Sequence, residues 1–304
     1  MSSPTTQFRQ YKTGARPSPR HTLLAAQPYT IIKAPPAQFA FVPPHLDFWG
    51  NQNHGCCVTT EEAFAKACYN PEIFISEAEA IAWATQHDVL EGADLTSVLD
   101  WMATGGFVQQ GATYDDGGKL GVNYADEPTL QSAISQGPVK IAIDHAALPA
   151  NAGPPNGWHA VGSGTFTNTD HCVSVCGYGP TAWLYQQLGV PMPSGLPAAG
   201  YLVFTWSSIG FVDHPWIMST CVEAWLRNPT TVIVGPTPQP GPTPGPGPLP
   251  PSPSPSPSRL FGLTIGRNLP KGAPVLFRAP VPIPAGHYDV VPSAQATAEV
   301  ETTP

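Results

Sequence analysis

Two residues of this 304-residue chain join a reactive type to a suggestive setting, Cys57 and His171. Cys57 follows a loop broken by Gly55 and opens a run without Gly or Pro that Pro71 closes. The run predicts a helix over 57–70 that begins at the cysteine itself. A thiol at a helix N-terminus feels the positive end of the dipole, which favours the thiolate, the attacking species of covalent catalysis. The competing reading is a small buried hydrophobe. His171 opens the segment Asp170-His171-Cys172-Val173-Ser174-Val175-Cys176-Gly177-Tyr178-Gly179-Pro180, an apolar strand ending in a Gly-rich turn. From a strand end a histidine can project across a cleft, take a proton from a thiol and later return it to a leaving amine. Taken alone, such a histidine is as readily structural.

Together the segments resemble the papain-like cysteine peptidases. That family carries Asp/Asn-His, four variable residues and an apolar one, then Gly-Tyr-Gly, and 170–179 reproduces the spacing without a gap. Its Gly-Pro-Val strand is similar to Gly137-Pro138-Val139-Lys140-Ile141-Ala142-Ile143-Asp144, and its nucleophile segment to Asn51-Gln52-Asn53-His54-Gly55-Cys56-Cys57. Pro43-Pro44-His45-Leu46-Asp47-Phe48-Trp49 resembles the start of its mature chain. The resemblance covers about residues 43–215. It implies a cysteine endopeptidase that cuts peptide bonds through an acyl-enzyme, with Cys57 as nucleophile and His171 as base and acid. Gln52 and the backbone N–H of Cys57 would form the oxyanion hole. No metal or organic cofactor is implied, and the cysteine spacing does not match a C-x-x-C zinc pattern.

Three departures qualify that transfer. Gln52 precedes Cys57 by five positions where the family has six, so either Gln52 reaches or Asn51 takes its place. Where the family has Asn-Ser-Trp to orient its histidine, this chain reads Phe204-Thr205-Trp206-Ser207. Trp206 matches the shielding indole, and the orienting bond falls to the Thr205 hydroxyl or to a backbone carbonyl. Loss of the orienting group lowers activity without removing it. The N-terminal arm is also shorter than the family's inhibitory prosegment and lacks its helical, charged pattern, so control of that kind is not expected. Among neighbouring residues, His54 reads as a solvated loop residue, Cys56 as a free thiol beside Cys57, Trp158-His159 as a candidate cleft lining, and Asp170 as an electrostatic neighbour of His171.

The elements that must position these groups are legible in the periodicity. A second helix is predicted over 76–87, with Ser76 as N-cap and Glu79 completing a capping box. A third runs over 94–104 with Leu95, Val98, Leu99 and Met102 at helical spacing, stopped by Gly105-Gly106. After Gly137 the pattern alternates, predicting strands at 139–143, 172–176 and 201–206. Helices first and strands second give an α+β class, and the resemblance makes it a papain-like two-layer fold with a helical half and an antiparallel β half.

Composition divides the chain further. Residues 1–42 read as an extended basic arm, 43–228 as the peptidase domain, 229–258 as a Pro-rich polyproline II linker and 259–304 as a small β-type docking segment with a disordered end. Residues 1–46 carry five basic residues and no acid, whereas 47–228 carry four basic residues against eighteen acids, a net −14. The arm can therefore lie on its own acidic body or on an acidic partner, and the acidic body argues against nucleic acid as a ligand. No stretch is long and apolar enough to span a membrane. Residues 1–10 lack the apolar core of a secretory signal, which leaves a cytoplasmic or particle-associated location as the expectation. Besides the peptidase with its peptide or protein substrate, a second reading follows from the tails. In it the fold is a catalytically weak or inactive scaffold of a particle, such as a virion, or of a surface assembly. Residues 259–292 and the arm would then bind a partner or a second copy.

Overall fold

The computed structural model describes residues 11–164, 166–227 and 231–234. Its centre is an eight-stranded sheet. In spatial order its main path runs β6 (Lys119–Gly121), β12 (Cys221–Arg227), β7 (Val139–Ile143), β9 (His171–Pro180), β10 (Ala199–Thr205), β11 (Ser208–Val212) and β8 (His159–Ala160). The pairings are antiparallel except β8 on β11. A short strand β2 (Phe39–Ala40) adds to β9.

Alternation along the strands sorts the side chains into two cores, as the pleat requires. On β9, Cys172 and Cys176 join one cluster, while Val173 and Val175 join the other. Leu202 and Phe204 of β10 divide from Tyr201 and Val203 in the same way. The first cluster is closed by α2 (Cys57–Ala67), α3 (Glu77–Gln86) and α4 (Leu95–Met102), with Phe64 stacked on Phe204 at 4.0 Å. The second is closed by α5 (Glu127–Ile134) and α7 (His214–Thr220), which contribute Leu130, Ile134, Trp216 and Ile217. The α+β, two-layer architecture expected from the sequence is the one observed.

Local details differ. Helix α2 ends at Ala67, three residues short of the expected 70. The Ser76 hydroxyl caps α3 by accepting from the Glu79 N–H. Glu79 does not return the bond: its carboxylate takes the Val108 N–H, and the Ser76 N–H goes to Gln109. The box is half built because a hairpin of β4 (Phe107–Gln109) and β5 (Ala112–Asp115) competes for both groups. Helices α5, α7 and α6 (Thr181–Leu188) interrupt the β half and were not expected. Strand β13 (Thr231–Val234) pairs with β5 at the start of the stretch read as polyproline linker, where a Thr-Val-Ile-Val run precedes the prolines. The docking segment 259–304 and the rest of the linker lie outside the described residues.

Three of the body's four basic residues are buried where α2 meets the sheet. Lys66 pairs with Asp116 at 3.0 Å, and Lys140 pairs with Glu62. Arg227 approaches Glu62 Oε2 through Nε at 2.8 Å without hydrogen-bond alignment, and its Nη2 donates to Oε1 at 3.3 Å. Burial opposes ionisation of Glu62, but Arg227, Lys140 and Lys66 outweigh it and hold the carboxyl below its usual range. This cluster fixes the helix that carries Cys57 to β7 and β12 of the sheet that also holds His171.

Residues 11–42 run along the body. β1 (Ala15–Arg16) pairs in parallel with β3 (Ala93–Asp94), and a five-residue helix α1 (Arg20–Leu24) follows. Pro28 bridges to Gly121, and β2 then completes the sheet.

Candidate active site

Cys57 is the first residue of α2 and His171 the first of β9, so two chain-distant elements converge at their starts. The Cys57 thiol faces the backbone amides of Cys172, next to His171, and of Gly14 in the arm. His171 is fully buried. Its Nε2 bonds the Thr205 Oγ1 at 2.8 Å, and its ring stacks on Trp206 with centroids 4.4 Å apart and planes 20° from parallel. Its Nδ1 is buried without a hydrogen-bond partner.

The β10–β11 hairpin places both supports. Thr205 pairs with Ser208, leaving a two-residue turn in which Trp206 and Ser207 both have positive φ, 42° and 58°. Such turns match the twist of the strands and favour Asn or Gly, so Trp206 holds a conformation uncommon for its type. The turn carries its indole over the His171 ring, while Ser208 Oγ donates to the Thr205 carbonyl at 2.9 Å and locks the corner.

Gln52 and Asn51, the two alternatives for the oxyanion amide, make different contacts. The Gln52 side-chain amide donates to Glu77 Oε1 at 3.1 Å. Asn51, 1% exposed, sends its Nδ2 to the Lys12 carbonyl of the arm at 3.1 Å and to the His54 carbonyl at 2.9 Å. Asn51 stands six residues before Cys57, the spacing that made it the alternative to Gln52. His54 is paired with Glu91 through Nδ1 at 2.9 Å, and Trp158 is buried with its indole N–H on Ser208 Oγ at 2.9 Å. The Asp170 carboxylate is taken up by the His145 N–H and Nδ1. All six cysteines are free thiols.

Asp144, His145 and Asp170 bring one ligand atom each within 4.8 Å of one another. Their oxygens are already committed: Asp144 Oδ2 accepts from Thr167 N, Thr167 Oγ1 and Asn168 N, and both Asp170 oxygens bond His145. The cluster anchors the loop that leads into β9.

The helix-dipole expectation for Cys57 is overridden by burial. Desolvation pushes the thiol up to about 12, and the Cys172 and Gly14 amides recover only part of that cost. Burial, and secondarily His145, pushes His171 down to about 3. Both groups are therefore neutral at pH 7. The covering layer is the arm itself. Lys12 N–H donates to Asn51 O at 3.3 Å, Trp206 Nε1 to Lys12 O at 3.1 Å, and Ala15 N–H to Asp170 O at 2.9 Å, so residues 11–16 cross from the cysteine wall to the histidine wall.

With this geometry established, solved structures place the architecture. The cysteine protease and lectin-like domains of Cwp84, a surface layer associated protein of Clostridium difficile, superpose with a TM-score of 0.50 at 12% identity, over 74% of this chain and 57% of that one. The fold is that of the papain-like cysteine proteases. Xylellain, a cysteine protease from Xylella fastidiosa, is similar at a TM-score of 0.49 and 13% identity, over 72% of this chain and 98% of its own. The ragweed pollen cysteine protease Amb a 11 in its proform gives 0.48 and 13%, over 69% and 72%. No protein-family model and no curated protein matches the sequence. Among the described residues no helix is long and apolar enough to cross a membrane.

Proposed function

We propose that this chain is a cysteine endopeptidase in which Cys57 attacks a peptide carbonyl and His171 moves the proton. One observation carries the reading. The His171 ring is held by Thr205 on Nε2 and by Trp206 on its face, its buried Nδ1 is left without a partner, and the Cys57 thiol faces the backbone of the next residue, Cys172. An imidazole oriented on one nitrogen and unpaired on the other, one residue from a buried thiol's backbone contact, supports a nucleophile–base pair. With the cleft opened, Nδ1 takes the thiol proton and the sulfur bonds the carbonyl carbon. The oxyanion is met by the Cys57 backbone N–H and a side-chain amide. Asn51 supplies that amide once the arm's Lys12 carbonyl leaves it, whereas Gln52 does so only by releasing Glu77. Collapse breaks the C–N bond, and the amine leaves with the proton from His171. Water, deprotonated by His171, then hydrolyses the thioester and regenerates the thiol.

A second reading is favoured by the same burial: a neutral thiol and imidazole under a seated arm also suit a silent scaffold in a particle or surface assembly, joined to partners through the arm and residues 259–292. The two are separated in the full chain carrying Gly14→Val, which dislodges the arm. Where iodoacetamide reaches Cys57, a peptidyl epoxide should label it faster than it labels free cysteine, and His171→Ala should abolish that advantage. A folded, accessible Cys57 with no advantage over free cysteine sinks the peptidase.

A further inference from the structure

The contacts of residues 11–16 in the cleft are of two kinds. The first reads main chain. Lys12 O accepts from Asn51 Nδ2 and Trp206 Nε1, both at 3.1 Å, Gly14 O accepts from the Ala93 N–H at 2.9 Å, and the Ala15 N–H donates to Asp170 O at 2.9 Å. Bonds of this type hold any extended polypeptide, whatever its sequence.

The second kind selects. A Cβ on Gly14 would lie 1.9 Å from the Gly55 carbonyl oxygen and 2.7 Å from its carbon, against backbone that has no rotamer to yield. On the other wall Gly92, at φ +128°, lies so close that a Cβ there would sit 2.5 Å from Gly14 O. Gly14 itself is not among the residues with positive φ, so missing space rather than backbone conformation demands glycine at this point. Three residues earlier, Tyr11 rests between Phe48 and Trp206 with centroids 5.2 and 5.3 Å away, and a Cβ on Gly153 would lie 2.6 Å from its ring. Ala15 is 4% exposed, whereas Lys12 and Arg16 point outward.

We infer that this cleft is a binding site for extended polypeptide that admits only glycine where the chain passes Gly55, with an aromatic residue three positions before it and a small residue after it. Residues 11–16 are its intramolecular ligand. An outside polypeptide of the pattern aromatic-x-x-Gly-small is the ligand class. That it is also the substrate rests on the peptidase reading above and requires it to shift from the register held by the arm. The seated arm is not positioned for cleavage. The sulfur faces the Gly14 amide, the Thr13 carbonyl oxygen lies over Gly55, and Asn51 Nδ2 is spent on the Lys12 carbonyl. A tethered ligand competes at an effective concentration on the order of millimolar, so an outside peptide gains the cleft only when the arm is weakened.

The test uses the full chain, with native iodoacetamide modification of Cys57 read by mass spectrometry. Wild type and Thr13→Val should be protected. Gly14→Val should react about a thousandfold faster, as a thiol returned from about 12 to its ordinary range would. The peptide Tyr-Lys-Thr-Gly-Ala-Arg should restore protection to Gly14→Val, and Tyr-Lys-Thr-Ala-Ala-Arg should not. Equal protection of Gly14→Val and wild type, or equal rescue by both peptides, overturns the inference. If Gly14→Val exposes all the buried cysteines at once it has unfolded, and Tyr11→Ala, which empties only the aromatic shelf, replaces it in the peptide comparison. Fragments of an unfolded protein digested by the opened chain should share a glycine at one fixed place relative to the cut. Cuts without that glycine refute the slot. Peptide discrimination without any cutting upholds the slot and removes the peptidase.

Discussion

Thr205 stands where an orienting group is needed, and replacing it isolates what one hydroxyl contributes. Thr205→Val removes Oγ1 at nearly constant volume, so packing against Trp206 and the second core is kept. What is lost is the 2.8 Å bond to His171 Nε2. Nδ1 already has no partner, so the variant buries an imidazole with both nitrogens unsatisfied. A buried polar group stranded in this way costs about 1–3 kcal/mol. For a domain near 200 residues the midpoint of a thermal melt should fall by about 4–8 °C at about 2 kcal/mol. Chemistry should suffer as well. For Nδ1 to receive the Cys57 proton, the ring's own proton must sit on Nε2, with Thr205 accepting. Valine leaves that tautomer unsupported, and a loss of about 2 kcal/mol in the transition state slows epoxide labelling of Cys57 about 30-fold in the Gly14→Val chain. Thr205→Ser should restore both properties. A Thr205→Val chain that melts within about 0.5 kcal/mol of its parent and labels at the same rate would refute the positioning role.

Three further outcomes are expected. Asn51→Ala should slow peptide cleavage by the opened chain about 100-fold, while Gln52→Ala changes it far less, because only Asn51 now has its amide on a carbonyl in the cleft; the reverse ranking in steady-state kinetics would return the oxyanion role to Gln52. His171, held near 3 when folded, binds its proton more weakly than in the unfolded chain, so its share of stability is complete above about pH 6.5 and is lost as pH falls from there toward 3; His171→Gln should flatten urea-denaturation stability against pH in that window relative to wild type. Lys140→Met should cost about 3 kcal/mol in the same titration, the low end for breaking a buried pair because Arg227 stays beside Glu62; an unchanged midpoint would show that the buried ionic cluster does not hold α2 to the sheet.

What the sequence reveals here depends on how locally each feature is encoded. The starts of α2, α3 and α4 follow from a glycine loop, Ser76 and Asp94, and the apolar alternation of β7, β9 and β10 is written in consecutive residues, so fold class and the Cys57 and His171 elements are legible. Helices α5 and α7 escape because a proline near each start obscures the periodicity, although Asp126 and Asp213 cap them. The thiol's protonation illustrates the other limit. A helix N-terminus favours thiolate, and that argument is sound for an exposed site, but it contributes on the order of 1 kcal/mol. Complete burial of the same sulfur can shift its pKa by several units at about 1.4 kcal/mol each, and the layer over it includes residues 11–16, more than forty positions away in the chain. Nothing about Tyr-Lys-Thr-Gly-Ala-Arg marks it as a cleft ligand until Gly55, Gly92 and Gly153 are brought around it. Each of those glycines reads singly as a turn, and only their convergence on one extended strand makes them a filter. The unpaired Nδ1 is therefore best understood together with the arm: on the peptidase reading, both belong to a site that its own chain keeps closed.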